Sequence, residues 1–268
     1  MKYAATFMIV IFLIIAVSWF VTCLISRRRP LSRFRKILTT ALLSVIGICL
    51  SNVIYFSNYY RAEKTALEAL RSTEKVAVRE MSGGWQFDGP GEDAVFVFYP
   101  GAKVEAEAYA PLLMKIAEQG VDGVLIDPPS NFAAFGLNTF QHFQESLSYP
   151  RWYVGGHSFG GSAASFYAGA HKDQVKGEIL LAAFPVLDLH GTELLLIYGS
   201  QDRCLRKGEY EQSRNLWPEN AEEYVVSGGN HSGVGCYGQQ IGDGKATITS
   251  SAQQSETAQV ITRFIKEH

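Results

Sequence analysis

Two stretches of this chain carry no charge at all: AATFMIVIFLIIAVSWFVTCLI, Ala4 to Ile25, and ILTTALLSVIGICLSNVIYF, Ile37 to Phe56. A helix rises about 1.5 Å per residue, so each stretch is long enough to cross a hydrocarbon core of roughly 30 Å with its backbone polar groups satisfied internally. Between them RRRPLSRFRK holds six basic residues and no acidic one. Positive loops stay on the cytoplasmic side. The expectation is therefore a two-helix anchor over residues 1–56, with spans at 4–25 and 37–56, a basic cytoplasmic loop at 27–36, and everything after Phe56 outside the cell membrane. A cleaved signal peptide carries its basic cluster before the apolar run and an A-x-A-like site after it; here the cluster follows and the site is missing. Phe20-Val21-Thr22-Cys23 departs from a lipobox, with Phe and Thr at positions that want small residues.

Charge divides the chain in the same place. Eight of the 24 Lys and Arg residues lie between Met1 and Arg61, where there is no Asp or Glu, leaving 16 basic against 26 acidic residues from Ala62 onward. That excess of acid argues against nucleic acid as a partner, because phosphate binding needs a positive footprint. Cys23 and Cys49 read as small apolar residues within the spans. Cys204 and Cys236 lie in the body, where an oxidising compartment permits a disulfide. No C-x-x-C or H-E-x-x-H spacing suggests a metal, and no cofactor is expected.

Ser57 to Lys75, SNYYRAEKTALEALRSTEK, sets Ala66, Leu67 and Leu70 at helical spacing among charges and predicts a juxtamembrane helix. From Val76 to His268 short apolar runs alternate with helical patterns. Strands are predicted at DAVFVFYPG, VDGVLIDPP, RWYVGG, KGEILLAAF, ELLLIYGS and EEYVVS. Helices are predicted at AYAPLLMKIAEQG, NFAAFGLNTFQHFQESL, GGSAASFYAGA, around EYEQSRNLW, and at the end of the chain, where Val260, Ile261, Phe264 and Ile265 make an apolar face. The alternation predicts an α/β domain over 76–268, a mostly parallel sheet with helices on both faces and a ligand site beyond the carboxyl ends of the strands.

At one junction the strand RWYVGG runs directly into the small-residue helix through Gly156-His157-Ser158-Phe159-Gly160. This G-x-S-x-G in strand-turn-helix context is the pattern of a nucleophile elbow, a turn too tight for side chains two residues either side of the serine. The glycines are steric vacancies that leave the Ser158 hydroxyl exposed at the sheet edge. Walker-A spacing and its lysine are absent from GGHSFGG. Such a serine needs a base and a carboxylate to orient it, in chain order serine, acid, histidine. Asp202, after LLLIYGS, and His231, after EEYVVSGGN, follow consecutive predicted strands; Asp188 in FPVLDLHG is the rival acid. Asp127, before Pro128, is assigned to a turn. His157 is expected to point elsewhere, and His142, His171, His190 and His268 to lie on surfaces. An oxyanion also needs two N–H donors, here Phe159 and, from YPGAKVE after the DAVFVF strand, Ala102.

At these residues the chain resembles the α/β-hydrolase superfamily, and within it a small bacterial group with YPGxxV, GGHSxGG, YGxxD and GGNH motifs. They stand here in that order as YPGAKV, GGHSFGG, YGSQD and GGNHSGVGCYG, spread over Val76 to the carboxyl terminus. The resemblance implies an α/β-hydrolase fold, Ser158 as nucleophile, Asp202 as acid, His231 as base, and Phe159 with Ala102 as oxyanion donors. Two departures stand out: Val234 replaces a more familiar aromatic, and Cys204 lies two residues past the acid. The second suggests a Cys204–Cys236 disulfide pinning the acid loop to the histidine loop, which requires Cα atoms within about 7 Å. Only PVLDLHGT separates the two strands between which many lipases insert a lid, so no cap domain is expected. The function implied is a membrane-anchored serine hydrolase cleaving a small or lipid-like acyl ester. An acyltransferase of the same fold and a non-catalytic anchored binding domain remain as alternatives.

Overall fold

The computed structural model describes residues 2–268, which divide into two compact units, the first ending at Asn58 and the second spanning Tyr59–His268. The first unit is a pair of helices, α1 (Lys2–Arg28) and α2 (Arg33–Ser57). Ser32 caps α2 by accepting the Arg35 N–H at 3.3 Å, and Arg27 and Arg28 close α1, so the connecting loop is shorter than the expected 27–36. Across the pair, Thr40 Oγ1 donates to Thr22 Oγ1 at 3.0 Å, and a Cβ on Gly47 would come within 2.8 Å of Ile14. These pairings run the helices antiparallel and in contact. Ser18, Thr22 and Ser44 return their hydroxyls to carbonyls four residues back, and large apolar side chains such as Phe12, Phe20, Phe34 and Ile54 face outward. Both helices are long and apolar enough to cross a membrane: 18-residue stretches within Met8–Arg28 and Arg33–Ser57 reach mean hydropathies of 2.9 and 2.2.

The second unit is built on an eight-stranded sheet: β1 (Ala77–Met81), β2 (Gly84–Asp88), β3 (Ala94–Tyr99), β4 (Asp122–Ile126), β5 (Arg151–His157), β6 (Gly177–Leu181), β7 (Glu193–Gly199) and β8 (Glu222–Val226). Their order is β1-β2-β4-β3-β5-β6-β7-β8; β1 and β2 are antiparallel to their neighbours and the rest pair in parallel. Parallel strands need crossovers, and these are supplied by α4 (Ala110–Ala117), α5 (Thr139–Ser146), α6 (Phe159–Ala170) and α7 (Lys207–Gln212), with α8 (Ser250–Glu267) closing the chain. The link from β6 to β7, residues 182–192, holds neither helix nor strand.

Alternation along each strand sorts the core into two layers. Phe96, Phe98, Ile179 and Leu195 face α4 and α8, while Val95, Val97, Leu180 and Leu196 face α5, α6 and α7. With every parallel strand pointing the same way, the loops after β3, β5, β7 and β8 meet at one edge.

Two predicted helices are shorter in the structure. Beyond Ser57, the last residue of α2, only Lys64–Glu68 of the 57–75 segment is α-helical (α3), because Tyr60 pairs as a β-bridge with Val104: its N–H donates to the Lys103 carbonyl and its carbonyl accepts from Glu105. From Tyr59 onward the segment belongs to the second unit. Residues 129–136 are two 3-10 turns, since Ser130 and Asn131 take left-handed φ of 59° and 52°, and α5 begins only at Thr139. The β1–β2 hairpin had no counterpart in the sequence reading. Its turn runs through Gly83 at φ 88°, and Gly84 lies so close to β4 that a Cβ would sit 2.0 Å from the Leu125 carbonyl oxygen.

Candidate active site

Ser158 follows the last residue of β5 and precedes the first of α6, with φ 54° and ψ −121°. That is a strained conformation for a residue with a side chain, costing on the order of 1–3 kcal/mol. The surroundings hold it: the Ser158 N–H donates to the Leu181 carbonyl at 2.9 Å, and its own carbonyl accepts from Ser162 at 3.2 Å. The flanking glycines leave no room for alternatives. A Cβ on Gly156 would lie 2.5 Å from the Tyr99 carbonyl oxygen, and one on Gly160 would lie 2.3 Å from the carbonyl oxygens of both Tyr99 and Pro100.

Asp202 and His231 stand a few residues beyond the ends of β7 and β8, and both are buried. Their hydrogen bond, His231 Nδ1 to Asp202 Oδ2, is 2.8 Å. The other carboxylate oxygen accepts the N–H groups of Cys204 and Leu205, each at 2.8 Å, which fixes the plane of the acid. His231 Nε2 has no hydrogen-bond partner among the described residues, and no Ser158 hydroxyl bond to it is formed. Ser158 and His231 line one cavity of about 220 Å³ with Phe159, Ser162, Ala182, Ala183, Phe184, Cys204, Leu205 and Arg206. An imidazole nitrogen without a partner, on a residue that lines the same small cavity as a serine, is free to take up and return a proton.

The loop after β3 carries Ala102, whose N–H, like that of Phe159, is engaged by no acceptor among the described residues. Its neighbours are tied down: Gly101 N–H donates to the Tyr109 hydroxyl at 3.1 Å, and Lys103 N–H to the Asn131 carbonyl at 2.7 Å. Phe132 stacks on Phe159 with ring centroids 4.6 Å apart. Asp188, the rival acid, is elsewhere: it is exposed and bonded to His190 and Lys172, which hold its carboxyl below the usual carboxylate range.

Three features escaped the sequence reading. His157 is not directed away from the site. Its ring lies 4.4 Å from that of His231 and its Nδ1 bonds the Tyr109 hydroxyl at 2.8 Å, so one buried chain joins the Ala102 loop to the histidine. Burial, then the neighbouring His231, holds His157 well below the usual imidazole range, and it stays neutral. Second, the expected disulfide is not formed, and Cys204 and Cys236 are free thiols. The Cys236 sulfur lies beside Gln254 of α8 and the Cys204 sulfur beside Gln240. Burial, with Asp243 and Asp202 nearby, pushes the Cys204 thiol up to about 11. Third, the pinning assigned to that disulfide is done by Asp243, whose Oδ1 accepts from Arg203 N at 3.4 Å and His231 N at 3.3 Å while Oδ2 holds both polar groups of Ser232. The sequence signal was an aspartate between two glycines, the one acidic residue of its loop.

A parallel sheet with a strained serine turn at its carboxyl edge defines the α/β-hydrolase class. The family model of the alpha/beta hydrolase family matches residues 95–255, more than half of the chain, and the chain belongs to that family. Membership supports a hydrolytic activity. Among solved structures it is similar to an α/β hydrolase enzyme from a metagenome of Mar Chica lagoon sediments in Morocco (TM-score 0.55, 12% identity, 71% of this chain and 98% of that one). It is similar also to a dienelactone hydrolase from Anabaena variabilis (0.54, 13%, 73% and 99%). A third likeness is to carboxyl esterase 2 from Tuber melanosporum (0.50, 14%, 78% and 91%). At such identities the likeness is one of fold. No curated protein matches the sequence.

Proposed function

We propose that the chain is a membrane-anchored serine hydrolase that cleaves a carboxylic ester through Ser158, His231 and Asp202. The observation that carries this reading is the buried 2.8 Å bond from Asp202 to His231 Nδ1, which leaves Nε2 unpartnered in the cavity that Ser158 lines. His231 Nε2 takes the Ser158 proton as the oxygen attacks the ester carbonyl, and Asp202 stabilises the imidazolium that forms. The N–H groups of Phe159 and Ala102 receive the oxyanion. Collapse passes the proton to the leaving alcohol, and water, activated by the same nitrogen, discharges the acyl group and frees Ser158. The apolar lining from Phe159, Ala182, Ala183, Phe184 and Leu205 suits a short acyl group, with the stacked Phe132 extending it. Residues 1–56 act as the anchor, with the basic residues between the spans on the cytoplasmic side and the catalytic unit outside.

The test is steady-state hydrolysis of chromogenic esters of increasing acyl length by the purified chain. Short esters are expected to turn over fastest, with Ser158→Ala reduced to background. Turnover that survives Ser158→Ala would remove the serine from the reaction.

A further inference from the structure

We propose that Asp202, Cys204 and His231 also form a binding site for a thiophilic divalent cation of the zinc type, and that its occupation turns the hydrolytic centre off. The second half rests on the hydrolase reading; the binding itself does not.

The donor atoms of these three residues lie within 4.8 Å of one another. An ion placed among three atoms so spaced is no more than 4.8/√3, about 2.8 Å, from each, so each donor needs to close in by at most about 0.5–0.8 Å to reach the roughly 2.0–2.3 Å bonds that zinc makes to carboxylate, imidazole and thiolate. Sulfur, nitrogen and one carboxylate is a set that favours zinc over magnesium or calcium. Two donors are already positioned: Asp202 by the N–H groups of Cys204 and Leu205, and His231 by Asp202 itself. His231 Nε2 is buried without a partner, as is that of His157, and Cys204, half-buried, lines the Ser158 cavity together with His231. A fourth position is open to water or to the Gln240 amide, which lies 3.5 Å from the Cys204 sulfur and presents its oxygen when turned over. Arg206 lines the same cavity, but its charge is compensated by Glu209 at 3.0 Å.

Binding exchanges one proton for the metal. The Cys204 S–H bond breaks, the proton leaves to solvent, a sulfur–metal bond forms, and no electron is transferred. Either imidazole nitrogen serves the metal, with one consequence. At Nε2 the ion occupies the lone pair that would accept the Ser158 proton. At Nδ1 it drives the remaining ring proton onto Nε2, which becomes a donor where an acceptor is needed. The missing disulfide is what keeps the Cys204 sulfur available.

The experiment uses the full chain in detergent with Co²⁺ as the spectroscopic probe. Wild type and Cys236→Ser are expected to develop a near-ultraviolet sulfur-to-cobalt charge-transfer band that saturates at one equivalent and is lost on adding Zn²⁺. Cys204→Ser, or Cys204→Ala if the serine variant misfolds, is expected to lack it. Without any variant, saturating Zn²⁺ is expected to protect Cys204, and not Cys236, from iodoacetamide, read by peptide mass spectrometry. No band in wild type, a band surviving in the Cys204 variants, or unprotected Cys204 would overturn the site. Fluorophosphonate labelling of the same samples separates the two claims. Labelling that is present without metal, lost with Zn²⁺ and restored by chelation supports the switch. Labelling unaffected by bound Zn²⁺ overturns it. Cobalt binding by a chain that is never labelled keeps the site and defeats the hydrolase reading.

Discussion

Replacing Gly160 by alanine adds one methyl group at the most confined point of the elbow. Its Cβ would meet the carbonyl oxygens of Tyr99 and Pro100 at 2.3 Å, against the 3.0 Å below which real contacts hardly occur, so 0.7 Å must be found. Neither neighbour is a flexible side-chain end: Tyr99 is the last residue of β3, paired in register with Gly156. The strand end and the helix must therefore move apart. Overpacking of this kind costs about 1–3 kcal/mol of stability. The displaced strand end leads directly to Ala102, so the same methyl separates the two proposed oxyanion donors, and a misplacement approaching 1 Å costs on the order of 10²-fold in rate. Gly160→Ala is thus expected to lose roughly 10²-fold in kcat/KM, mainly in kcat, with a lowered Tm. Gly208 in α7 is the control, because a Cβ there meets nothing within 4 Å. Gly208→Ala should keep full activity and gain up to about 1 kcal/mol. A Gly160→Ala enzyme with kcat/KM within about twofold of wild type would refute the steric account of the elbow.

The two candidate acids predict opposite outcomes: Asp202→Asn should lower kcat by about 10³- to 10⁴-fold through loss of the imidazole's orientation, whereas Asp188→Asn should leave it unchanged. His157→Phe keeps a ring against His231 but loses the Tyr109 bond, and a net hydrogen bond of about 1 kcal/mol predicts a several-fold fall in kcat. Its proton linkage can be read separately by denaturant unfolding. Folded His157 refuses the proton that the unfolded chain binds below about pH 6.5, so wild-type stability falls as pH drops through that value, and this component of the slope should vanish in the variant. Glu178, in the middle of the sheet, is fully buried, with its carboxyl oxygens unpaired, and burial pushes its carboxyl well above the ordinary range. The stability it confers while protonated is complete below the unfolded value of about 4.3 and is lost as pH rises through the folded one. Glu178→Gln should therefore melt higher than wild type, by a margin that grows as pH rises above the unfolded value.

Elements whose cause is local were legible in the sequence. The two long apolar helices, β3 to β8, α6 and α8 follow from uncharged runs, strand-length apolar stretches and small or periodic helix faces. The elbow was legible because its glycines are required by backbone contacts only a few residues away. What could not be read depends on partners distant in the chain. AVREM carries two charges in five residues and becomes β1 only because β2 and then β4 lie beside it. SNYYRAEK reads as helix by spacing, yet Tyr60 is drawn into pairing with Val104. His157 resembled a bystander in a turn, since nothing local discloses that both Tyr109 and His231 pack against it. The same holds for Asp243, which joins the acid and histidine loops where two cysteines at suggestive spacing do not.

The central claim is that Ser158 is an activated nucleophile. It is tested most directly by exposing the purified chain to a fluorophosphonate and locating the adduct by peptide mass spectrometry in wild type, Ser158→Ala and His231→Ala. The account predicts one adduct, on the Ser158 hydroxyl, absent from the first variant and lost from the second although its serine remains. A folded wild-type chain that takes no label, or an adduct on any other residue, would contradict it.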